Sequence, residues 1–314
     1  MCQLQPLDLT TAIRAVTKNL WPLCGRREEA RVLCVGAGGL GSPVALYLAA
    51  AGVGTLGLVD FDTVGLSNIQ RQVLYSSDDV GRPKLEAACA RLQQLNPHTV
   101  VVPHALQLQP DNAMGVMQDY DVVVDGSDNF ATRYVVNDAA VLLGIPNVHA
   151  SVYRFEGQLS VFDAARGPCY SCLFPEPPPA QLVPSCAEGG VLGVLPGIIG
   201  SMQALEVIKL ILGQGEPLIG RLLAFDGLAG TFRELRVHKD ESCDVCASAA
   251  NLRTPRTIVG DSCAPDTKEE LNCAEITVEA LSGVMGSGRA PALIDVREPY
   301  EVEIAQIPGA ELIP

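Results

Sequence analysis

Short, continuous runs of apolar residues alternate with helical patterns in the first half of the chain. The helical patterns lie at Gly41–Ala51, Lys84–Leu95 and Thr132–Leu143. The apolar runs predict strands, which lie at Arg31–Gly36, Thr55–Asp60, Thr99–Pro103, Asp121–Asp125 and Pro146–His149. Strands that are apolar on both faces and alternate with helices are typical of a parallel sheet covered by helices on both sides. The first half is therefore predicted to be an α/β, Rossmann-like domain.

The pattern changes in the middle of the chain, where apolar and polar residues alternate along three further predicted strands. They lie at Gly157–Asp163, Arg221–Asp226 and Thr231–His238. This alternation is typical of antiparallel strands with one buried and one solvated face. The mostly parallel sheet is thus predicted to continue into antiparallel strands.

A long apolar helix is predicted at Gly197–Leu212, between Pro196 and Gly213. One of its faces carries three polar residues spaced three apart, Gln203, Glu206 and Lys209. This polar stripe favours an amphipathic or buried helix over a membrane span. Small residues would also let another backbone approach the helix closely, at Gly197, Gly200, Ser201 and Ala204.

The pattern predicts four segments along the chain. Residues 1–30 are expected to be a helical N-terminal segment, and residues 31–246 to be the main domain. Residues 247–275 are polar and interrupted by prolines, which is typical of a linker. Residues 276–314 begin a further folding unit.

The composition narrows the class of protein. Of the 314 residues, 48% are hydrophobic and 5% are aromatic, and the formal net charge is −14. An acidic chain with few aromatic residues is not expected to bind nucleic acid. The chain does not open with a basic segment followed by an apolar run, so a cytoplasmic protein without a membrane partner is expected. In that compartment the 11 cysteines indicate metal binding or catalysis before disulfides.

A glycine-rich turn, GAGGLG from Gly36 to Gly41, connects the first predicted strand to the first predicted helix. Such a turn lets the backbone approach phosphate groups at the N-terminus of a helix. Asp60 ends the next predicted strand, where a carboxylate accepts hydrogen bonds from ribose hydroxyls. On its own this pattern favours an NAD(P)-dependent oxidoreductase, and a tight turn without a ligand also fits.

Charged residues further along the chain change that interpretation. Arg71 and Lys84 would add two cations beside the phosphates, as phosphoryl transfer requires and hydride transfer does not. Asp128 follows the fourth predicted strand, at the edge of the sheet where ligands bind. One carboxylate together with phosphate oxygens is a suitable ligand set for Mg²⁺. The chain has only four histidines, which favours chemistry that needs no histidine base.

Four motifs occur in order along the chain: GAGGLGS from Gly36, DFDTVGLSNIQRQ from Asp60, GRPKLEA from Gly81 and DGSDN from Asp125. Together they resemble the MoeB/ThiF family, relatives of the ubiquitin-activating enzymes, and the resemblance covers Arg31 to Cys246. It implies ATP-dependent adenylation of the C-terminal glycine carboxylate of a small ubiquitin-like sulfur-carrier protein that ends in Gly-Gly. It also implies a homodimer.

The same resemblance implies roles for individual residues. Asp60 would hold the ribose, and Asn68, Arg71 and Lys84 would contact the phosphates. Asp128 would serve Mg²⁺, with Asn129 beside it. The candidate residues for ATP are thus Gly36, Gly38, Gly39, Gly41, Asp60, Asn68, Arg71, Lys84, Asp128 and Asn129, and those for catalysis are Arg71, Lys84, Asp128 and Cys186.

Two other functions stay open at this point. One is an NAD(P)-dependent oxidoreductase with structural zinc. The other is an inactive partner subunit that binds a carrier protein without activating it. Within the family function the carrier is also open, because MoaD-like, ThiS-like and Urm-like carriers serve molybdopterin, thiamine and tRNA thiolation respectively.

Two Cys-x-x-Cys pairs, Cys169 with Cys172 and Cys243 with Cys246, form a candidate metal site. Four thiolates suit tetrahedral Zn²⁺, and a site with no open coordination position would be structural. A thioredoxin-like redox pair is the alternative. The family resemblance agrees with zinc.

Cys186 lies alone in a glycine-rich segment that follows a run of prolines. An exposed thiol in such a crossover loop could act as a nucleophile, whereas an inert cysteine is the simpler interpretation. The resemblance implies that a cysteine at this position can form a thioester or an acyl-disulfide with the carrier.

Both ends of the chain depart from the family pattern. The sequence ALIDVREPYE from Ala292, followed by IPGA from Ile307, resembles the opening of a rhodanese domain. The sequence ends before the catalytic loop of such a domain, so this incomplete rhodanese-like segment is not expected to transfer sulfane sulfur. Near the N-terminus, Arg14 is a weak counterpart of the family arginine that reaches the ATP of the neighbouring subunit.

Overall fold

The computed structural model describes residues 29–178, 190–247 and 252–257, together with residue 281, residues 293–295 and residues 309–312. The chain divides into two compact units, Met1–Cys263 and Ala264–Pro314. The boundary between them falls inside the segment that the sequence predicts to be a linker. Most of the predicted N-terminal segment, including Arg14, lies outside the described residues, as does Cys186.

Eight strands of the first unit form a single sheet. In chain order they are β1 (Arg31–Val35), β2 (Thr55–Val59), β3 (Val100–His104), β4 (Val122–Asp125), β5 (Asn147–Tyr153), β6 (Glu156–Phe162), β7 (Arg221–Asp226) and β8 (Thr231–Arg236). Across the sheet the order is β3-β2-β1-β4-β5-β6-β7-β8. The five strands from β3 to β5 in this order pair in parallel. Strands β6, β7 and β8 each pair antiparallel to the strand before them. The predicted mixed sheet is thus confirmed.

The parallel strands end at the same edge of the sheet. Val35, the last residue of β1, pairs with Val59 of β2 and with Asp125 of β4. The loops that follow these three strands therefore start side by side, which is where ligands bind in open α/β sheets. Strand β5 runs further than predicted because its second half forms a hairpin with β6.

Six α-helices accompany the described part of the sheet. They are α1 (Gly41–Ala50), α2 (Lys84–Leu95), α3 (Ala113–Met117), α4 (Phe130–Leu143), α5 (Tyr170–Leu173) and α6 (Val194–Leu212). Apolar residues of the strands pack alternately onto the two helical layers. Leu33 and Val123 belong to one buried cluster and Val32 and Leu56 to the other. This arrangement is the reason for the continuous apolar strand sequences.

Helix α6 packs one side against α1 and the sheet and leaves Val194 and Leu205 exposed on the other. It is the one helix among the described residues that is long and apolar enough to cross a membrane by length and composition. Its polar stripe, however, faces the protein interior. The amide of Gln203 donates hydrogen bonds of 3.0 Å to the backbone oxygens of Asp125 and Val148, and Glu206 accepts one of 2.9 Å from Leu218 N. These contacts confirm the buried interpretation.

The second unit, by itself, contains two short strands among its described residues. Ile294–Asp295 and Glu311–Leu312 pair in parallel. Both lie in the segment that resembles a rhodanese domain, and most other residues of that segment lie outside the described part of the chain.

Candidate functional site

The glycine-rich turn is held closed by backbone contacts. Gly36 has a φ of +89°, a conformation that favours glycine, and its N–H donates to Val59 O at 2.8 Å. A Cβ atom at Gly41 would overlap the carbonyl oxygen of Gly36, so only glycine fits there. The turn thus brings backbone N–H groups to the start of α1, beside the ends of β1 and β2.

Asp60 connects the end of β2 to this turn. Its side chain is only 8% exposed, one carboxylate oxygen accepts a hydrogen bond of 2.9 Å from Ala37 N, and the other accepts one of 2.9 Å from Asp62 N. Each carboxylate oxygen can accept a second hydrogen bond. The carboxylate can therefore also receive hydroxyl groups of a bound sugar.

Lys84 lies next to Asp60 although 24 positions separate them in the sequence. It is the first residue of α2 and its side chain is 7% exposed. Its Nζ atom lies 2.8 Å from Asp62 Oδ2 and 3.9 Å from Asp60 Oδ2. The structure thus places a buried cation at the carboxylate that directly follows β2.

Arg71 packs against the glycine turn from the other side. Its Cδ atom lies 3.7 Å from the place that a Cβ atom of Gly39 would take, and Pro196 of α6 lies 3.2 Å from the same place. The guanidinium donates to Ser67 O at 3.2 Å. Asn68 is engaged locally, because its side-chain oxygen accepts a hydrogen bond from Gly65 N at 3.1 Å.

Asp128 and Asn129 follow β4 at the same edge of the sheet. Asp128 is exposed, and Asn129 caps α4 by accepting a hydrogen bond of 2.8 Å from Thr132 N. Gly126, two residues before Asp128, lies against the glycine turn. Its carbonyl oxygen would be 3.1 Å from a Cβ atom added to Gly36. The candidate residues of β1, β2 and β4 therefore share one edge.

Sequence reasoning missed two residues that support the turn. The hydroxyl of Tyr75 donates to Ala37 O at 2.8 Å, and Gln72 is buried against Gly38. Burial first, and then the negative charges of Asp60 and Asp62, raise the pKa of Tyr75, so it remains a hydrogen-bond donor. Gln72 is the last residue of the DFDTVGLSNIQRQ motif, and Tyr75 follows shortly after it. No local periodicity indicates these contacts.

A buried acid–base pair lies beneath the site. Asp125 accepts a hydrogen bond of 2.6 Å from the hydroxyl of Ser127, and His149 Nδ1 lies 2.8 Å from its other oxygen. Burial acts to raise the pKa of Asp125, but the hydrogen bond from His149, the positive charge of Arg133 and the hydrogen bond from Ser127 together hold the pKa below its usual range. Burial lowers the pKa of His149. A neutral imidazole therefore donates to a carboxylate here, and His149 is a satisfied core residue.

The four cysteines of the two Cys-x-x-Cys pairs meet in space. Their sulfur atoms all lie within 4.8 Å of one another, and Cys169 lies 3.9 Å from Cys172 and 3.7 Å from Cys243. Tetrahedral Zn²⁺ with bonds of about 2.3 Å would separate its sulfur ligands by about 3.8 Å. Disulfides would need about 2.05 Å. The cluster can therefore bind a zinc ion, as the spacing predicts.

Two thiols of this cluster, those of Cys169 and Cys246, resist ionisation. Burial, and then the charges of the neighbouring cysteines, raise the pKa of Cys169. Burial and the hydrogen bond with Cys172 raise the pKa of Cys246 to about 12. Thiols with such pKa values are protonated at neutral pH, so metal binding would displace their protons.

Comparisons with known proteins agree with this geometry. A family model described as the ThiF family matches residues 22–245. The chain is 50% identical over 293 residues to the "Probable adenylyltransferase/sulfurtransferase MoeZ" of Mycobacterium tuberculosis, covering 92% of this chain and 74% of that protein. It is 52% identical over 233 residues to the "Sulfur carrier protein adenylyltransferase" of Thermus thermophilus, covering 73% of this chain and 86% of that protein.

Solved structures show the same fold. The crystal structure of E. coli MccB with ATP superimposes with a TM-score of 0.63 at 24% identity, over 71% of this chain and 68% of that one. A structure of PaaA superimposes with a TM-score of 0.57 at 24% identity, over 68% and 66% of the two chains. At this identity the likeness supports the fold alone.

The sheet, the glycine turn and the cysteine cluster define a Rossmann-like fold with a candidate nucleotide site and a candidate metal centre. Its relatives at 50% identity and above are named adenylyltransferases, so its class is that of the nucleotidyltransferases. The chain belongs to the ThiF family, as the resemblance in its sequence implies.

Proposed function

We propose that this enzyme uses ATP to adenylate the C-terminal glycine carboxylate of a ubiquitin-like sulfur-carrier protein. One observation carries the proposal: a glycine turn, a buried carboxylate and two cations, Arg71 and Lys84, converge on the edge where β1, β2 and β4 end. The printed names of the relatives support the carrier as the substrate class.

In the proposed reaction the carrier carboxylate attacks the α-phosphorus of ATP. A carboxylate oxygen forms the new bond to phosphorus, the bond to the β-phosphate oxygen breaks, and pyrophosphate leaves with that electron pair. A carboxylate is already ionised at neutral pH, so no general base is needed. Catalysis then depends on positioning and on stabilising phosphate charge.

The residues of this chain divide those tasks. Backbone N–H groups of the turn from Gly36 to Gly41 would bind phosphate, and Asp60 would orient the ribose. Lys84 and Arg71 would stabilise the charge that develops on the phosphate oxygens. Asn68 would also contact the phosphates, and Asn129 would hold the loop of Asp128 by capping α4.

Two metal ions complete the proposal. Asp128 would hold Mg²⁺, because it is an exposed carboxylate at the strand edge, and the ion would neutralise phosphate charge. Zn²⁺ would bind Cys169, Cys172, Cys243 and Cys246 in a structural role.

Further parts of the proposal concern partners and the second unit. We also propose that the enzyme is a cytoplasmic homodimer and that Cys186 is a nucleophile. Its thiolate would attack the carbonyl carbon of the acyl-adenylate, form a thioester and release AMP. The segment 276–314 would be rhodanese-like. Sedimentation of the full chain would test the dimer, and mass analysis of the carrier adduct in a Cys186→Ser variant would test the thioester.

The reaction is tested by pyrophosphate exchange. Labelled pyrophosphate should enter ATP only when a carrier ending in Gly-Gly is present. A carrier that lacks its last glycine is the matched control. If ATP binds but no such carrier stimulates the exchange, the result would instead favour an inactive carrier-binding subunit.

A further inference from the structure

The segment Leu252–Thr257 follows the second cysteine pair and returns to the helices beside the cluster. Its contacts converge on Arg256, whereas Arg253 of the same segment is exposed and, among the described residues, donates to the backbone oxygen of Leu252 at 3.0 Å. Pro255, between them, is buried. One arginine of this segment is thus fixed and the other is not.

Arg256 makes a bidentate ion pair with Asp138 of α4. Its Nε atom lies 2.8 Å from Asp138 Oδ2 and its Nη2 atom lies 3.0 Å from Oδ1. The backbone N–H of Arg256 donates to the same carboxylate at 2.9 Å. Asp138 is fully buried, and a bidentate contact of this kind fixes direction as well as distance. The guanidinium is therefore held in one orientation.

The same network holds the inner residues of the first cysteine pair. Arg256 Nη2 donates to the hydroxyl of Ser171 at 2.9 Å, and Asn137 Nδ2 lies 3.2 Å from that hydroxyl. The side-chain oxygen of Asn137 accepts a hydrogen bond of 2.8 Å from Tyr170 N. Tyr170 and Ser171 are the two residues between Cys169 and Cys172. The network thus fixes the backbone between Cys169 and Cys172, which orients their two sulfur atoms.

The charge of Arg256 suits a thiolate centre. Four thiolates around one Zn²⁺ carry four negative charges against two positive ones, so two remain uncompensated. Burial acts to lower the pKa of Arg256, but the hydrogen bonds and the charge of Asp138 outweigh it, so the guanidinium stays charged. Groups around a metal centre that orient its ligands typically change metal affinity by 10-fold to 100-fold.

We propose that Arg256, anchored by Asp138, is a positioning residue for the four-cysteine centre: it orients the Cys169–Cys172 turn and retains the bound metal. This inference rests on the zinc assignment in the proposed function and is separate from the adenylation chemistry. It predicts that metal leaves faster when the Arg256 contacts are removed.

The test uses the full chain loaded with Zn²⁺, with release followed by a chromogenic chelator in excess. Arg256→Gln should release zinc about 10-fold faster than wild type, or more. Arg253→Gln, which removes the same charge from the same segment, should stay within about twofold. Arg256→Lys keeps the charge without the bidentate contact and should fall between them.

A second readout separates positioning from general stability. In the Co²⁺-loaded protein the thiolate-to-metal charge-transfer bands should shift in Arg256→Gln and stay in place in Arg253→Gln. Because Arg256→Gln leaves Asp138 buried without its cation, the double variant Asp138→Asn with Arg256→Gln serves if the single variant does not fold. It should also release metal faster.

Equal release rates and equal spectra for Arg256→Gln and Arg253→Gln, with wild type binding one metal ion, would overturn the role of Arg256 alone. A wild-type chain that binds no Zn²⁺ would overturn both this role and the zinc assignment. Neither outcome would bear on pyrophosphate exchange, so failure of the adenylation proposal remains distinguishable.

Discussion

At the scale of single residues, the charged groups around Asp60 come from distant parts of the sequence. Lys84 lies between Asp60 and Asp62 with little exposure to solvent. A cation held this way is already desolvated and oriented, so it need not reorganise when phosphate charge develops. Arg82, two residues earlier, has a side chain that is 42% exposed, and it pairs with Asp79 and Glu86.

Lys84→Gln therefore provides a direct test of the proposed phosphate contact. The rate of carrier-dependent pyrophosphate exchange should fall about 100-fold to 1,000-fold, the usual effect of losing one group that stabilises developing charge. Arg82→Gln, a matched loss of charge, should stay within a few-fold of wild type. Equal rates for the two variants would contradict the role of Lys84.

The buried pair of Asp125 and His149 predicts how stability depends on pH. The pKa of His149 is lowered in the folded state, so the unfolded state binds more protons below its value of 6.5. The pKa of Asp125 is also lowered, with the same sign below 3.8. The free energy of unfolding should therefore decrease on acidification, by at most about 1.4 kcal/mol per pH unit for each group.

Urea unfolding, monitored by circular dichroism at pH 7.5 and pH 5.5, measures how much histidine titration contributes to this change in the free energy of unfolding. His149→Gln should reduce the difference between the two pH values, since its amide does not titrate. His104, whose pKa burial also lowers, should leave a residual dependence of the same sign. A difference that is unchanged in the variant would show that His149 is not the titrating group.

At the scale of elements, helix α6 lies close to α1 because of its small residues. A Cβ atom at Gly200 would lie 2.6 Å from Leu40 O, the residue just before α1, and 2.5 Å from Pro43 Cγ. A Cβ atom at Gly197, one turn earlier, would meet nothing within 4 Å. Only one of the two glycines is thus needed for packing.

Alanine at these two positions should act in opposite directions. Gly200→Ala should force α6 away from α1 and destabilise the protein by about 1–3 kcal/mol. Gly197→Ala should stabilise it by about 0.5–1 kcal/mol, because alanine lowers the entropy cost of the helix. Chemical denaturation of both variants measures this, and a loss of stability of similar size in both would contradict the packing described for α6.

Elements that follow from local pattern could be predicted, and those that depend on distant partners could not. The parallel strands appear in the sequence as continuous apolar runs, and α2 appears through the helical spacing of its apolar residues. Helices α3 and α5 contain five and four residues, too few for a periodic signal. The second half of β5 exists because β6 pairs with it.

The candidate sites divide in the same way. The glycine turn and Asp60 are local features, so the sequence indicates them directly. The contact of Arg256 with Asp138 joins residues 118 positions apart, and no pattern around either residue indicates it. Tyr75 likewise reaches Ala37 across 38 positions.

At the scale of the first unit, helix α4 connects the two candidate sites. Asn129 caps its start beside Asp128 at the strand edge, and Asp138 anchors Arg256 near the cysteine cluster. Nine residues of helix separate these points, about 14 Å at 1.5 Å per residue. The nucleotide edge and the metal centre are thus built on one rigid element.

The most direct measurement of the central claim is the intact mass of a Gly-Gly carrier after incubation with enzyme, ATP, Mg²⁺ and pyrophosphatase. We predict a carrier whose mass has increased by one adenylyl group, formed by the wild-type enzyme and strongly reduced with Lys84→Gln. A carrier of unchanged mass, under conditions where ATP binding to the same enzyme is demonstrated, would contradict the account.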